Sequence, residues 1–438
     1  MFKLMDVSKP VKFALLAIVI LVFAASAASA LMYGDHYLLG SYEKLDNDDV
    51  KYVNSAKILL NKHTLAYNSG EASSAFIMPG MPLVLSGLML LFGQDGDAVT
   101  AFRIVQSALQ ACSVYLIFAI ANRLFGSRAA LIAAAASALY LPDYFSAGVI
   151  LSETIFRTIV MLLILASLAA LKSGRTKHYA MAAALVGLAC YFKPQAALFP
   201  GVLFLLWLAQ RTDWRLILKR TAVVAAVLIV MLSPWWVRNY MAFDAFIPFT
   251  KSAGSPLLLG ALIHDEAPPR PFFDAHPEYE GGKDSLFAGS DDDMAETAKK
   301  IMSFGFREQP LTYLKWYTVD KVAGLYAGPF YWKTVFGVSG TGVAIYHIIM
   351  MALGAAGIAL MLMKPAMRRS APHRLMLLVL AYFTVIYLPF ITFNRYGYPN
   401  VFLLFLTAAY ALDRMASLVT SKGVSNAQRP SLSKESLV

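Results

Sequence analysis

An all-α polytopic membrane protein with about ten transmembrane helices is the fold class this sequence predicts, on three observations. Of its 438 residues, 58% are hydrophobic and only 15% charged, against roughly 25% charge in a soluble globular domain, and the mean hydropathy is +0.58. Apolar runs long enough to cross a bilayer, about 17 to 25 residues, recur along the chain. The Lys and Arg residues behind the net charge of +11 stand in short clusters between those runs, which is how a multi-span protein displays its topology. A soluble enzyme, a nucleic-acid binder and a disordered chain are excluded. Cys112 and Cys190 lie inside apolar segments, where a thiol behaves as a small hydrophobe, so they carry no redox information.

Taken in order, span-length stretches lie near 12 to 33, 101 to 122, 129 to 147, 152 to 171, 217 to 237, 341 to 363, 374 to 391 and 399 to 415. A further pair, 178 to 191 and 194 to 210, is split by Lys193-Pro194. Basic clusters follow: Lys3, Lys9 and Lys12; Arg123 and Arg128; Lys172, Arg175 and Lys177; Arg211, Arg215, Lys219 and Arg220; Lys364, Arg368, Arg369 and Arg374; Arg414 and Lys422. Placing all of these in the cytoplasm satisfies the positive-inside rule with both termini inside. Residues 76 to 93 then form a short interfacial or re-entrant helix, because a full crossing would expel Arg123 and Arg128 to the outside. The aromatic stretch Tyr313 to Trp332 reads the same way, lying along the outer surface. The basic start and Ala25 to Ala30 also resemble a secretory signal with its cleavage site; either outcome leaves residues 36 to 75 outside. The chain divides into an N-terminal membrane module (1–237) whose first outer loop (34–100) carries candidate catalytic acids, an outer segment with interfacial helix (238–340), C-terminal membrane helices (341–417) and a disordered cytoplasmic tail (418–438).

Ionisable groups at the membrane are costly and mark candidate sites. Asp48 and Asp49 open a short helix after the first span. Adjacent carboxylates point in different directions on a helix, so at most one serves a reaction centre. They read either as helix-start compensation or as a general base for an acceptor hydroxyl. Glu153, in Leu-Ser-Glu-Thr at the outer end of the fourth span, is either a cap with Ser152 or part of that site. Lys193, Arg238 and Arg395 each have a plain reading as cations snorkelling to headgroups. All three, however, lie outside, against the rule the other cations obey, and cations so placed suggest a bound anion such as a phosphate. Tyr52, Asn239 and Tyr396 flank these groups as candidate substrate contacts. No phosphate-cradling Gly motif, nucleophile elbow or His and Cys pattern with metal-ligand spacing is present; the outer acids leave a divalent ion possible without demanding one.

The order of these features resembles the GT-C superfamily of polytopic glycosyltransferases that use lipid-phosphate sugars. The likeness is strongest to the bacterial branch of protein O-mannosyltransferase-like enzymes, the lipid A aminoarabinose transferase and rhizobial galacturonosyltransferases of lipopolysaccharide. Its pieces run from about residue 10 to 415: the acidic pair with Tyr52 and Ala56; Pro79-Gly80-Met81-Pro82; Arg103 with Gln106; Arg123-Leu-Phe-Gly126; Leu151-Ser-Glu153; Lys193-Pro194; Pro234-Trp235 with Arg238-Asn239-Tyr240; and Arg395-Tyr396 with Pro399. Met78 and Lys193 depart from it, at places where Lys or Arg, and Arg, are more usual.

The resemblance implies a bacterial inner-membrane enzyme with its site facing the periplasm. Its partners would be a polyprenyl-phosphate sugar donor, a glycan, lipid or protein acceptor, and membrane lipids, with no nucleic acid. Asp48 or Asp49 would be the base, Glu153 would orient acceptor or base, and Lys193, Arg238 and Arg395 would hold the donor phosphate. A lipid-phosphate or anion transporter is the alternative, since broken helices and outward cations also build anion paths.

Overall fold

The computed structural model describes residues 7–67 and 70–427, and of 419–427 only the backbone. The described residues contain helices and no strand, and the helices form a membrane bundle capped at one end by a smaller extramembrane layer. The N-terminal half runs α1 (Lys9–Tyr33), α2 (Asp48–Lys62), α3 (Gly80–Phe92), α4 (Gly96–Phe125), α5 (Ser127–Ala138), α6 (Leu141–Gly148), α7 (Glu153–Ser173), α8 (Thr176–Cys190), α9 (Pro200–Ala209) and α10 (Trp214–Phe243). The extramembrane layer holds α11 (Gly254–Ala261), α12 (Arg270–Ala275), α13 (Lys283–Leu286), α14 (Asp291–Glu308), α15 (Pro310–Lys315) and α16 (Lys321–Tyr326). The chain returns to the bundle through α17 (Gly340–Leu362), α18 (Pro365–Arg369), α19 (Ala371–Val385) and α20 (Asn394–Ala427).

Six of these helices, α1, α4, α7, α10, α17 and the first 25 residues of α20, are long and apolar enough to cross a membrane. The bent pair α5 and α6, at 56°, makes a seventh if counted as one span. The other three spans expected from sequence fall on α8, α9 and α19, which are 15, 10 and 15 residues long. The α5/α6 bend comes at Leu139-Tyr140, just before Pro142, whose ring cannot continue the preceding helix. α3, at 13 residues, is too short to cross at 1.5 Å per residue, as expected of an interfacial or re-entrant piece. In the stretch 313–332 the helical turns run on to Tyr326, through a π-helical turn at Trp316–Asp320, and the rest is not helical. α20 runs on to Ala427, so helix enters the stretch read as a tail; residues 428–438 lie outside the described ones.

Small residues let the helices approach closely. A Cβ on Gly357 of α17 would lie 1.9 Å from the Thr407 carbonyl oxygen of α20, so only Gly fits there. On α1, Ser26 donates to Ser107 of α4 at 3.1 Å.

One end of the bundle gathers the basic clusters. Arg128 pairs with Asp413 at 3.0 Å, His373 meets the Leu124 carbonyl at 3.1 Å, and the Arg220 guanidinium lies 4.6 Å from the Tyr179 ring and 5.7 Å from Trp207. The opposite end carries the starts of α2, α7 and α20 and the end of α8. The extramembrane layer has its own core of Leu258, Ala261, Leu262, Phe272, Leu286, Ala298, Ile301 and Phe304. Ser290 and Asp293 close a capping box on α14, and Asp291 accepts from the Ala253 and Gly254 amides at 3.0 and 2.9 Å. Asp291 and Asp293 of the acidic run are thus consumed by helix starts.

Inside the bundle, Asp143 of α6 is fully buried and ion-paired with Arg157 of α7. It also accepts from Tyr398 of α20 at 3.0 Å and from Gln110 and Ser137 at 3.1 Å. Removing one partner of a buried pair strands the other charge, at roughly 3–5 kcal/mol. Arg157→Met is therefore expected to lower thermal stability in detergent by several degrees, and Asp143→Leu in the same chain to restore most of the loss. A double variant no better than the single would contradict this.

Candidate active site

Four charged side chains from four distant segments converge at the end of the bundle that bears the extramembrane layer. Glu153 opens α7 and has no side-chain exposure. Its Oε1 accepts from Arg395 Nε at 2.6 Å and from Lys193 Nζ at 3.0 Å, while its Oε2 is buried without a partner. Arg395, in the first turn of α20, extends its Nη1 to Asp48 Oδ2 at 2.7 Å. Asp48 Oδ1 accepts from the Tyr67 hydroxyl at 2.5 Å. Arg395 is thus a bridge, its fork holding one carboxylate on each side. Glu153 is enclosed, whereas the Asp48 side chain is 39% exposed, so Asp48 is the more open of the two carboxylates.

Local sequence explains each placement. Asp48 and Asp49 lie about 100° apart around the helix, and they diverge. Asp49 turns inward, fully buried, and accepts from the Leu39 and Val50 amides at 2.6 and 2.8 Å, a structural use of its charge. Glu153 is delivered by the linker between α6 and α7. Arg103 Nε donates to Gly148 O at 3.0 Å and Gln106 Nε2 to Val149 O at 2.6 Å, which pins that linker. Lys193 is extended, as a residue before proline must be, with φ −141° and ψ 109°. Its turn is held by α3: the Gly80 amide donates to Tyr191 O at 2.8 Å, and a Cβ at Gly80 would sit 2.4 Å from that oxygen. The Pro-Gly-Met-Pro motif therefore supports the lysine.

Aromatic rings wall the cluster. Lys193 Nζ lies 5.7 Å from the Tyr396 ring and 6.0 Å from Phe156; Tyr396 stacks on Tyr387 at 5.3 Å; Tyr52, nearly buried, packs on Tyr67 at 5.8 Å. Burial alone would raise the Asp48 pKa, but Arg395 and the Tyr67 hydroxyl outweigh it and hold the carboxyl below its ordinary 3.8. Burial, with the neighbouring Tyr52 and Asp48, pushes the Tyr67 phenol well up, so Tyr67 stays a donor.

Arg238 and Asn239 are not in direct contact with these four. Arg238 donates to Ser74 O at 2.9 Å, Leu65 O at 3.1 Å and Asn239 Oδ1 at 2.9 Å, and its guanidinium lies over Trp235 and Phe243. Asn239 donates to Ile247 O at 2.9 Å. Arg238 braces the loop that carries Tyr67 and Asn239 orients Arg238, and Met78 packs with Leu65 and Trp235 beneath that loop. Sequence reasoning missed Tyr67, which lies in a polar loop with no periodicity. It also missed Arg157 and Tyr398 as partners, although they follow Glu153 by four residues and Arg395 by three, the spacing of one helix face. Among the described residues no group of three or more His, Cys, Asp and Glu side chains is placed to hold a metal ion.

The fold and this site define a class, a polytopic helical membrane protein with a charged cluster at one end of its bundle. Residues 77–237 match the model of the dolichyl-phosphate-mannose-protein mannosyltransferase family, a stretch that includes Glu153 and Lys193 but not Asp48, Arg238 or Arg395. The apo oligosaccharyltransferase of Archaeoglobus fulgidus has the same fold over 96% of this chain and 53% of its own, at 15% identity and a TM-score of 0.57. The same organism's AglB in complex with an inhibitory peptide and a dolichol-phosphate matches 98% and 53%, at 14% identity and a TM-score of 0.53. ArnT from Cupriavidus metallidurans, bound to undecaprenyl phosphate, overlaps 94% and 79% at 17% identity and a TM-score of 0.42, too loosely to add weight. The chain spans about half the length of the oligosaccharyltransferases it matches. No curated protein sequence matches it. The chain shares the fold of these oligosaccharyltransferases, the GT-C-like helical bundle its sequence resemblance implied.

Proposed function

We propose that the protein is an integral-membrane glycosyltransferase that moves a sugar from a polyprenyl-phosphate donor to a hydroxyl on an extracytoplasmic glycan, lipid or protein, with inversion. The observation that carries this reading is the Arg395 bridge between enclosed Glu153 and open Asp48. The donor's phosphodiester monoanion, arriving at the mouth of the bundle, competes with Asp48 for Arg395, with Lys193 alongside. Glu153 keeps both cations in place. Asp48, released from the guanidinium, takes the proton of the acceptor hydroxyl as that oxygen attacks the anomeric carbon. The carbon–oxygen bond to the phosphate breaks, its electron pair stays on the phosphate oxygen, and Arg395 and Lys193 stabilise that charge. Attack opposite the leaving group inverts the centre. The dolichol-phosphate bound to AglB supports a lipid-phosphate ligand for this fold. Envelope lipids and glycans compared by mass spectrometry, with and without the protein, should differ by one sugar. Lipid phosphate carried across proteoliposomes with no glycosyl transfer would instead favour a transporter.

A pH signature follows. Asp48 is held below 3.8 while Arg395 is beside it, so the resting site stays ionised, and keeps the stability that ionisation contributes, until pH falls through that depressed value. When phosphate draws Arg395 away, the carboxyl pKa rises. The acid limb of kcat, which reports the bound enzyme, is expected at higher pH than that of kcat/KM, which reports the free enzyme. Coincident limbs would contradict the exchange of partners.

A further inference from the structure

Arg395 hangs on a strap. Residues 386–393, between α19 and α20, are not helical, and the extramembrane layer grips them from several sides. The Ile391 amide donates to Pro256 O at 2.8 Å. A Cβ on Gly260 would lie 2.6 Å from Pro389 O, and one on Gly324 2.7 Å from Thr392 Oγ1. Trp316 Nε1 fixes Gly260 O at 2.9 Å, and Asn394 Nδ2 fixes Pro329 O at 2.6 Å. In the middle stands Lys321, fully buried, making no ion pair among the described residues. Its Nζ donates to Leu388 O at 2.6 Å and lies 3.8 Å from the Tyr317 ring. It directly follows the π-helical turn Trp316–Asp320, a distortion that often marks functional positions. A buried ammonium without a carboxylate partner is costly, and burial pushes the Lys321 pKa down to about 7. A methionine would fill the same space at less cost, so the lysine needs a reason, and its one hydrogen bond is to the strap.

We propose that Lys321 is a positioning residue that clamps the 386–393 strap and so sets Arg395 for the donor phosphate. This rests on the reading of Arg395 as a phosphate ligand. The test uses the full chain in lipid nanodiscs, comparing wild type with Lys321→Met and Lys321→Arg by two measurements: hydrogen exchange across 386–397, and the Kd of undecaprenyl phosphate. Losing a charged hydrogen bond weakens what it holds by about tenfold or more. Lys321→Met is expected to speed strap exchange and raise the Kd by about that factor, with Tm little changed because a stranded charge has gone. Lys321→Arg, which keeps a cationic donor, recovers most of both. Strap exchange unchanged in Lys321→Met overturns the clamp. So does an equal loss in Met and Arg accompanied by a fall in Tm, which marks plain core packing. Should Lys321→Met fail to fold, Gly260→Ala presses the strap from the other side and is expected to raise the Kd likewise; an unchanged Kd there overturns the proposal. If wild type shows no binding at all, the phosphate reading of Arg395 has failed, and with it the proposed role, while the exchange data still show separately whether the lysine holds the strap.

Discussion

Replacing Asp48 by Asn is expected to lower glycosyl transfer by about 10²- to 10⁴-fold, the usual contribution of one general base, while donor binding persists. Asn keeps the size of the side chain and can still accept from Tyr67, whose hydroxyl bonds Asp48 Oδ1 at 2.5 Å. What disappears is the proton acceptor. Asp49→Asn forms the internal control. Its carboxylate is spent on the Leu39 and Val50 amides, so the loss falls on stability, about 1–3 kcal/mol, rather than on turnover. Transfer and melting temperature measured on the two purified variants separate the roles. Near-normal transfer by Asp48→Asn would remove the base assignment; a catalytic defect confined to Asp49→Asn would reverse the two residues.

The second large effect is expected at Arg395. Arg395→Met leaves Glu153, wholly enclosed, with Lys193 at 3.0 Å as its remaining cation, and strips Asp48 of its guanidinium. Breaking a buried ion pair costs roughly 3–5 kcal/mol, so the variant should melt markedly earlier and transfer no sugar. Arg395→Lys tests the fork itself. A single ammonium cannot span Glu153 and Asp48 as Nε and Nη1 do at 2.6 and 2.7 Å, so it should recover stability in part and activity hardly at all. Equal rescue of both would mean that charge alone matters.

Much of this was legible in the sequence because a bilayer imposes long-range rules. Apolar run length gave the helices, and cation placement gave the two ends: among the described residues the basic clusters do gather at one end, with Lys193 and Arg395 at the other. The break before Pro142 and the shortness of residues 80–92 followed from residue type. The span count was harder. α8, α9 and α19 read as spans by hydropathy; the break at Lys193-Pro194 follows from residue type, whereas helix termination after Val385 is decided by tertiary contacts.

The site was partly legible. Offset on a helix said that only one of Asp48 and Asp49 points at a reaction centre, but which one depends on the Leu39 amide, ten residues upstream. Arg238 obeyed the same outward rule as Arg395 yet bonds backbone carbonyls, because cation placement fixes a depth and not a partner. Tyr67 and Lys321 gave no signal, since the first lies in an aperiodic loop and the second is indistinguishable in sequence from a snorkelling lysine.

The central claim is that Arg395 and Lys193 are arranged for a phosphate. Binding of undecaprenyl phosphate and of undecaprenol to the protein in nanodiscs tests it most directly. The phosphate is expected to bind saturably, the alcohol far more weakly, and Arg395→Met to erase the difference. Equal binding of the two lipids by wild type, or a preference that survives in Arg395→Met, would contradict the account.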